Sequence, residues 1–195
     1  MGESLGMTSQ RDTEVIVIGA GLTGATLACG LAAQGIDTVL IDRIAPADGI
    51  SPTFDGRASA IAQSSRVALD GIGLWPLVSD TTEAIRDIRV SDGPSLLFLH
   101  YDHADIGDEP LGYMIENRDM RAGLVRLTEK TAGLTVVAPA QIVATNRDDG
   151  AASVTLDDGS TIAGRLIVAA DGRGSATREA AGISVTGWRY NQNAI

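Results

Sequence analysis

The chain has 195 residues, 44% of them hydrophobic, a formal net charge of −10 and one cysteine. That supplies a core for one ordinary domain, or for a domain and part of another, while the acidic balance without any basic stretch excludes a nucleic-acid footprint and opposes contact with anionic lipid. Cys29 stands alone in an Ala-rich segment, where it reads as a small buried apolar side chain in a reducing, cytoplasmic setting.

Residues 1–12 are polar, lack an apolar signal core and carry no Ser or Thr at position 6, so they are expected to be a disordered leader without export or myristoylation. The first strong signal is Glu14-Val15-Ile16-Val17-Ile18-Gly19-Ala20-Gly21-Leu22-Thr23-Gly24, followed by a second apolar run at 38–41 that ends on Asp42. This is the pattern of a dinucleotide cradle. Gly19 permits the tight turn out of the strand, Gly21 lets backbone approach a pyrophosphate, and Gly24 lets the helix pack closely on the sheet. Leu22 and Thr23 open a helix whose unpaired N–H groups face the phosphates. Asp42 lies 23 positions past Gly19, close to the ~20 expected of a carboxylate that hydrogen-bonds an adenosine ribose. A membrane span is the competing reading, since residues 15–33 are 19 in a row without a charge, near the ~20 needed to cross a bilayer. The glycines, the flanking Glu14 and Asp37, and the division into a β-branched and an Ala-rich half decide against it.

Further along, Pro46, Asp48-Gly49, Pro52 and Asp55-Gly56 predict a long loop over 43–57. Residues 58–72 are helix-compatible, and Leu74-Trp75-Pro76 is expected to break that helix. Strands are predicted at 85–90 and 95–101 around Asp92-Gly93-Pro94, then an acidic turn over 102–110 and a short strand at 111–115. Asn117 is expected to cap a helix reaching about Lys130, with Leu124 and Leu127 buried. Four short strands at 134–137, 142–146, 152–156 and 161–162, with Asp149-Gly150 and Asp158-Gly159 as turns, predict an antiparallel meander. A continuous apolar strand over 165–170 ends in Asp171-Gly172, and a helix is expected from Ser175 to about Ala181.

Three motifs together resemble the flavin-dependent aromatic hydroxylases of the para-hydroxybenzoate hydroxylase fold, and within them the ubiquinone-biosynthesis hydroxylase branch. The first is the glycine cradle with Asp42-Arg43. The second, Asp55-Gly56-Arg57-Ala58-Ser59-Ala60-Ile61-Ala62, is similar to the loop in which an arginine precedes a small-residue helix and approaches the flavin. The third and most specific, Val168-Ala169-Ala170-Asp171-Gly172-Arg173-Gly174-Ser175-Ala176-Thr177-Arg178, is similar to the family's Asp-Gly fingerprint. Gly112-Tyr113-Met114-Ile115-Glu116-Asn117-Arg118 resembles a strand-to-helix entry, and Trp188-Arg189-Tyr190-Asn191-Gln192 the step into a substrate domain. The resemblance spans residues 13–195.

It implies an α/β fold in which a Rossmann-like FAD-binding domain is interrupted by an antiparallel layer and a meander. The expected divisions are 13–84 for the βαβ unit and flavin loop, 85–111 for a substrate-domain insertion, 112–183 for the cofactor domain continued, and 184–195 for the start of a substrate domain. The implied cofactor site comprises Gly19, Gly21, Leu22, Thr23, Gly24, Asp42, Arg43, Arg57, Ala58, Arg121, Asp171, Gly172 and Arg178. Other roles stay open: Asp171 as a helix cap, and Arg57, Arg121 and Arg178 as surface cations. The implied chemistry is reduction of FAD by NAD(P)H, reaction with oxygen and hydroxylation of a phenolic ring, with no protein acid or base assigned. A polyprenylated phenol would bring the protein to the inner face of a membrane or into a biosynthetic complex. The family's second flavin fingerprint, Gly-Asp with small residues and His, is absent, so the chain is expected to be an N-terminal portion that does not turn over alone. A nicotinamide-dependent dehydrogenase, or a nucleotide-binding subunit completed by another chain, are the alternatives. His100 and His103 lack companions for a metal site, and no GxSxG motif supports a nucleophilic hydrolase.

Overall fold

The computed structural model describes residues 10–50, 53, 56–93, 96–148 and 151–190. In chain order these form β1 (Gln10–Asp12), β2 (Val15–Ile18), α1 (Leu22–Ala33), β3 (Thr38–Ile41), β4 (Ala58–Ala62), α2 (Gln63–Gly71), α3 (Trp75–Val78), β5 (Thr82–Ile85), β6 (Asp87–Ser91) and β7 (Phe98–Asp102). They continue with β8 (Gly112–Glu116), α4 (Asn117–Thr128), β9 (Leu134–Val137), β10 (Ile142–Asp148), β11 (Ala151–Leu156), β12 (Thr161–Gly164), β13 (Leu166–Ala169) and α5 (Ala176–Ala180).

The architecture is α/β. Its centre is a parallel sheet in the order β13-β2-β3-β9, and parallel neighbours require crossovers, which α1 and α4 supply. Side chains alternate across a strand, so β2 and β3 feed two cores. Val15, Val17 and Leu40 face α1, α3 and α4 with Ala28, Trp75, Leu124 and Leu127. Ile16, Ile18, Val39 and Ile41 face the other way, onto Val154, Leu156 and Ile162. Burial on both faces is why these strands read as unbroken apolar runs. Opposite α1, a sheet ordered β1-β12-β11-β10 covers the second core. A third sheet, β4-β8-β5, precedes α4, and β6 and β7 pair by themselves.

The uncharged run over 15–33 is divided as the glycines require, into a four-residue strand and a twelve-residue helix. Among the described residues no helix is long and apolar enough to cross a membrane.

Several expectations are corrected. The helix predicted over 58–72 is a strand followed by a helix, because Ala58–Ala62 pairs antiparallel with Gly112–Glu116. Alanine is the strongest intrinsic helix former, but propensities are small per residue and strand pairing overrides them here. Gly112 makes the approach possible: a Cβ there would lie 2.4 Å from the Ile61 carbonyl oxygen. Residues 134–137 leave the meander and form β9, parallel to β3, because α4 returns the chain to the central sheet. The strand expected at 85–90 is two strands in two sheets, parting at Arg86, whose carbonyl accepts from the His103 N–H. Trp75-Pro76 opens the short helix α3, with proline tolerated in the first turn. Asn117 is not a cap: it is the first residue of α4, and its Oδ1 accepts from the Ser59 hydroxyl at 2.6 Å. The last three residues of the expected leader, Gln10–Asp12, form β1 against β12. The turns at Pro52, Pro94 and Asp149-Gly150, Asp55 of the flavin-loop motif, and Asn191-Gln192 lie outside the described residues.

Gly123 sets the distance between α4 and α3. A Cβ at Gly123 would come within 2.3 Å of Val78 Cγ1 and 3.2 Å of Leu74 Cδ1, both fully or nearly fully buried. Gly123→Ala is therefore expected to overpack this contact and destabilise by about 1–3 kcal/mol, read as a lowered denaturant midpoint; an unchanged midpoint would show that α3 yields freely.

Candidate cofactor site

The site begins where β2 turns into α1. Gly19 adopts φ +104° and its N–H donates to the Ile41 carbonyl at 2.7 Å. A Cβ on Gly19 would lie 2.4 Å from the Ala170 carbonyl oxygen and 2.9 Å from the Asp171 nitrogen. The turn after β2 and the end of β13 thus touch through backbone alone. Gly24 is as confined, since a Cβ there would meet the Gly19 carbonyl oxygen at 1.8 Å. Gly21, between them, is extended and has nothing within 4 Å of its notional Cβ. Two glycines close the turn and the third leaves space above it.

Gly21 is also the residue preceding α1, and no side chain caps that helix. Its opening N–H groups at Leu22, Thr23 and Gly24 are therefore available to an anion, aided by the helix dipole. A cleft runs outward from this point, lined by Ala20, Gly21 and Leu22 on one side and Pro46, Arg121 and Thr128 on the other. Arg121 comes from α4, and its guanidinium stands 3.8 Å from where a Gly49 Cβ would be.

Asp42 follows β3 and closes the turn from the side. Its Oδ2 accepts from the Ala20 N–H at 2.6 Å and its Oδ1 from the Ile44 N–H at 2.9 Å. Each carboxylate oxygen retains a second lone pair, so Asp42 both orders the glycine turn and keeps acceptor capacity. Arg43 beside it is exposed.

Asp171 leaves β13 opposite Gly19. Its Oδ2 accepts from the Thr177 N–H at 3.1 Å and hydroxyl at 3.0 Å, while its Oδ1 is shielded from solvent and accepts no hydrogen bond. Gly172 turns the chain at φ +87°. Ser175 caps α5, accepting from the Arg178 N–H at 2.9 Å, and Arg178 Nη1 donates back to the Arg173 carbonyl at 3.0 Å. Burial pushes the Asp171 carboxyl up, but the neighbouring Ser175 hydroxyl and the hydrogen bonds from Thr177 outweigh it and hold the group below the ordinary carboxylate range. A depressed carboxyl stabilises the fold above its unfolded value of about 3.9, and that contribution disappears as pH falls through the lower folded value. Asp171→Asn is accordingly expected to cost stability near neutrality, with the gap to the parent narrowing below about pH 4; equilibrium unfolding across that range measures it, and a constant gap would contradict it.

The structure brings Gly19, Gly21, Leu22, Thr23, Gly24, Asp42, Asp171 and Gly172 to one crevice, with Arg121 across the cleft. Arg57 and Ala58 are exposed and sit on the β4 side. They connect to the site indirectly: the Arg57 carbonyl accepts from the Asn117 N–H at 3.0 Å, at the start of the helix that carries Arg121. Sequence reasoning missed Thr177, Pro46 and Thr128. Ser175, three residues ahead of the amide it accepts from, carries an ordinary capping signal, whereas nothing in the spacing marks Thr177 as a partner of Asp171.

Residues 12–194 match the family described as FAD binding domain. "Ubiquinone hydroxylase UbiL" of Rhodospirillum rubrum is 44% identical over 188 residues, covering 96% of this chain and 44% of that protein. The "3-demethoxyubiquinol 3-hydroxylase" of Escherichia coli is 32% identical over 97% of this chain and 48% of that protein. The chain thus spans less than half the length of these curated relatives. Among solved structures, Pseudomonas aeruginosa PqsL in complex with 2-aminobenzoylacetate superposes with a TM-score of 0.78 at 22% identity, over 92% of this chain and 48% of that one. The flavin-dependent monooxygenase PieE in complex with FAD and substrate gives 0.74 at 18% identity, over 91% of this chain and 33% of that one. These two likenesses carry the fold.

Proposed function

The chain belongs to the FAD-binding domain family, and on that premise we propose that it forms the cofactor-holding part of an FAD-dependent monooxygenase that hydroxylates a phenolic ring, using NAD(P)H and O2, in ubiquinone biosynthesis. The observation that carries this reading is the backbone contact between Gly19 and Ala170-Asp171. It joins the dinucleotide turn to the Asp-Gly turn, and a simple dehydrogenase cradle has no need of the second. Both lie at the carboxyl ends of neighbouring parallel strands, where open α/β sheets bind ligands.

The residues fit FAD. Gly21 leaves room for a pyrophosphate on the opening amides of α1, Asp42 would accept from the adenosine ribose with the lone pairs its Ala20 and Ile44 contacts leave free, and Asp171 keeps an unused Oδ1. Arg43, Arg121 and Arg178 would complete the cofactor-side residues, with Gly172 shaping the turn, while Arg57 and Ala58 would act from the β4 side through the start of α4. When bound, FAD supplies the redox chemistry with NAD(P)H and oxygen. The chain's own part is to anchor the dinucleotide, set its orientation and keep the apolar wall around Leu40 and Leu124 dry. The substrate class, an aromatic small molecule, follows from the likeness to ubiquinone hydroxylases; a polyprenylated form of it would bring the protein to a membrane surface.

The test is isotopic. With the full-length enzyme, NAD(P)H, 18O2 and a prenylated phenol, the label is expected in the ring hydroxyl of the product. Oxygen derived from water, or hydride transfer to substrate without oxygen uptake, would overturn the monooxygenase reading.

A further inference from the structure

One face of α4 borders the cleft, through Arg121, Leu124, Val125 and Thr128. Residues three and four apart share a helix face, so this stripe continues one turn back to Asn117. Asn117 is held from two sides. Its N–H donates to the Arg57 carbonyl at 3.0 Å, and its Oδ1 accepts from the Ser59 hydroxyl at 2.6 Å. The pairing explains how a strand residue reaches this helix: Ser59 lies opposite Ile115 in β8, and β8 runs without a loop into α4. Both Ser59 and Asn117 are half-buried. A carboxamide has one oxygen that accepts and one nitrogen that donates, and engaging the oxygen fixes which end points where. The Ser59 hydroxyl therefore leaves Nδ2 on the side away from itself.

We propose that Ser59 is a positioning residue, which fixes the Asn117 amide so that Nδ2 donates to the ribityl–isoalloxazine half of FAD. The proposal rests on the FAD reading above. In that reading Asp42 takes the adenosine ribose and the opening amides of α1 take the pyrophosphate, with Arg121 across the cleft. The rest of the dinucleotide continues along the α4 stripe past Arg121, and Asn117 is the next position on it. The carbonyls and unprotonated nitrogens of the flavin ring accept hydrogen bonds, so the donor end of the amide is the useful one. Without the Ser59 hydroxyl the amide is free to turn over, and its two ends compete for the cofactor. The competing account is a structural tie between β4 and α4 that touches no cofactor. Ser59→Ala separates the two, because the Arg57–Asn117 bond and the β4–β8 ladder are backbone and survive the substitution.

The experiment titrates the full-length enzyme with FAD and, in parallel, with ADP, which carries the adenosine and the pyrophosphate but no flavin. Ser59→Ala is expected to weaken FAD about three- to tenfold, the range of one modest hydrogen bond, and to leave ADP affinity unchanged. Ser59→Thr keeps the hydroxyl on a strand, where β-branching is tolerated, and should bind FAD like the parent. Asn117→Ala should lose at least as much as Ser59→Ala, and the double variant no more than Asn117→Ala, because Ser59 acts only through that amide. Should Ser59→Ala fail to fold, Ser59→Cys, a weak donor of similar size, takes its place with the same expected loss. Equal losses of FAD and ADP affinity would overturn the proposal in favour of the structural tie. So would losses that add in the double variant, or a threonine variant as weak as alanine. A parent that binds NAD and no FAD would remove the FAD reading and this role with it. A parent that binds FAD, with Ser59→Ala binding it equally well, would remove this role alone.

Discussion

Gly24→Ala is expected to abolish FAD binding and to destabilise the fold by about 3 kcal/mol, the upper end of overpacking penalties. The size follows from what the new methyl group meets. It would lie 1.8 Å from the Gly19 carbonyl oxygen and 3.0 Å from the Ala170 Cβ, and the first of these is backbone that cannot rotate away. Relief requires α1 to lift from β2, and the buried Ala25, Ala28 and Cys29 on α1 move with it. Gly19 cannot yield, because its own positive φ and its contact with Ala170 hold it on the other side. Denaturant titration with a parallel FAD titration measures both effects. A variant with parent-like stability and affinity would mean that the glycine turn is looser than its contacts indicate.

Asp42→Ala is expected to weaken FAD at least tenfold. A hydrogen bond to a charged acceptor contributes about 1.5–3 kcal/mol, and about 1.4 kcal/mol corresponds to a factor of ten. Asp42 also accepts from the Ala20 and Ile44 amides, so its removal would loosen the turn as well as remove the proposed ribose contact. Asp42→Asn separates the two: the amide keeps one acceptor oxygen and much of the turn but loses the charge, so its affinity should fall between parent and alanine. Flavin fluorescence on titration reads this order. Unchanged affinity in Asp42→Ala would remove Asp42 from the ribose.

The central sheet was legible because Val15–Ile18 and Thr38–Ile41 are buried on both faces, leaving apolar runs interrupted only where glycine is required. The Asp-Gly turn after β13 was legible because an apolar run ends abruptly on Asp171-Gly172, even though Leu166 and Ala169 of that strand are exposed. What failed was partner choice. Leu134–Val137 has one signal whether it joins a meander or lies beside β3, and only the path of α4 decides. Ala58–Ala62 has a local preference for helix and a distant partner in β8 that outweighs it. Of the site, the cradle glycines and Asp42 follow from turn geometry and spacing. The acceptors and donors around Asp171 depend on how residues 172–177 fold back, which no spacing rule encodes.

The central claim is that the crevice shared by Gly19–Gly24, Asp42 and Asp171 holds FAD rather than a nicotinamide dinucleotide. Titration of the purified protein with FAD, with and without excess NAD, followed by the visible flavin spectrum, tests it most directly. The account predicts a stoichiometric, perturbed flavin spectrum that NAD does not displace and that Gly24→Ala abolishes. Tight NAD binding with no flavin retained, or flavin binding indifferent to Gly24→Ala, would contradict it.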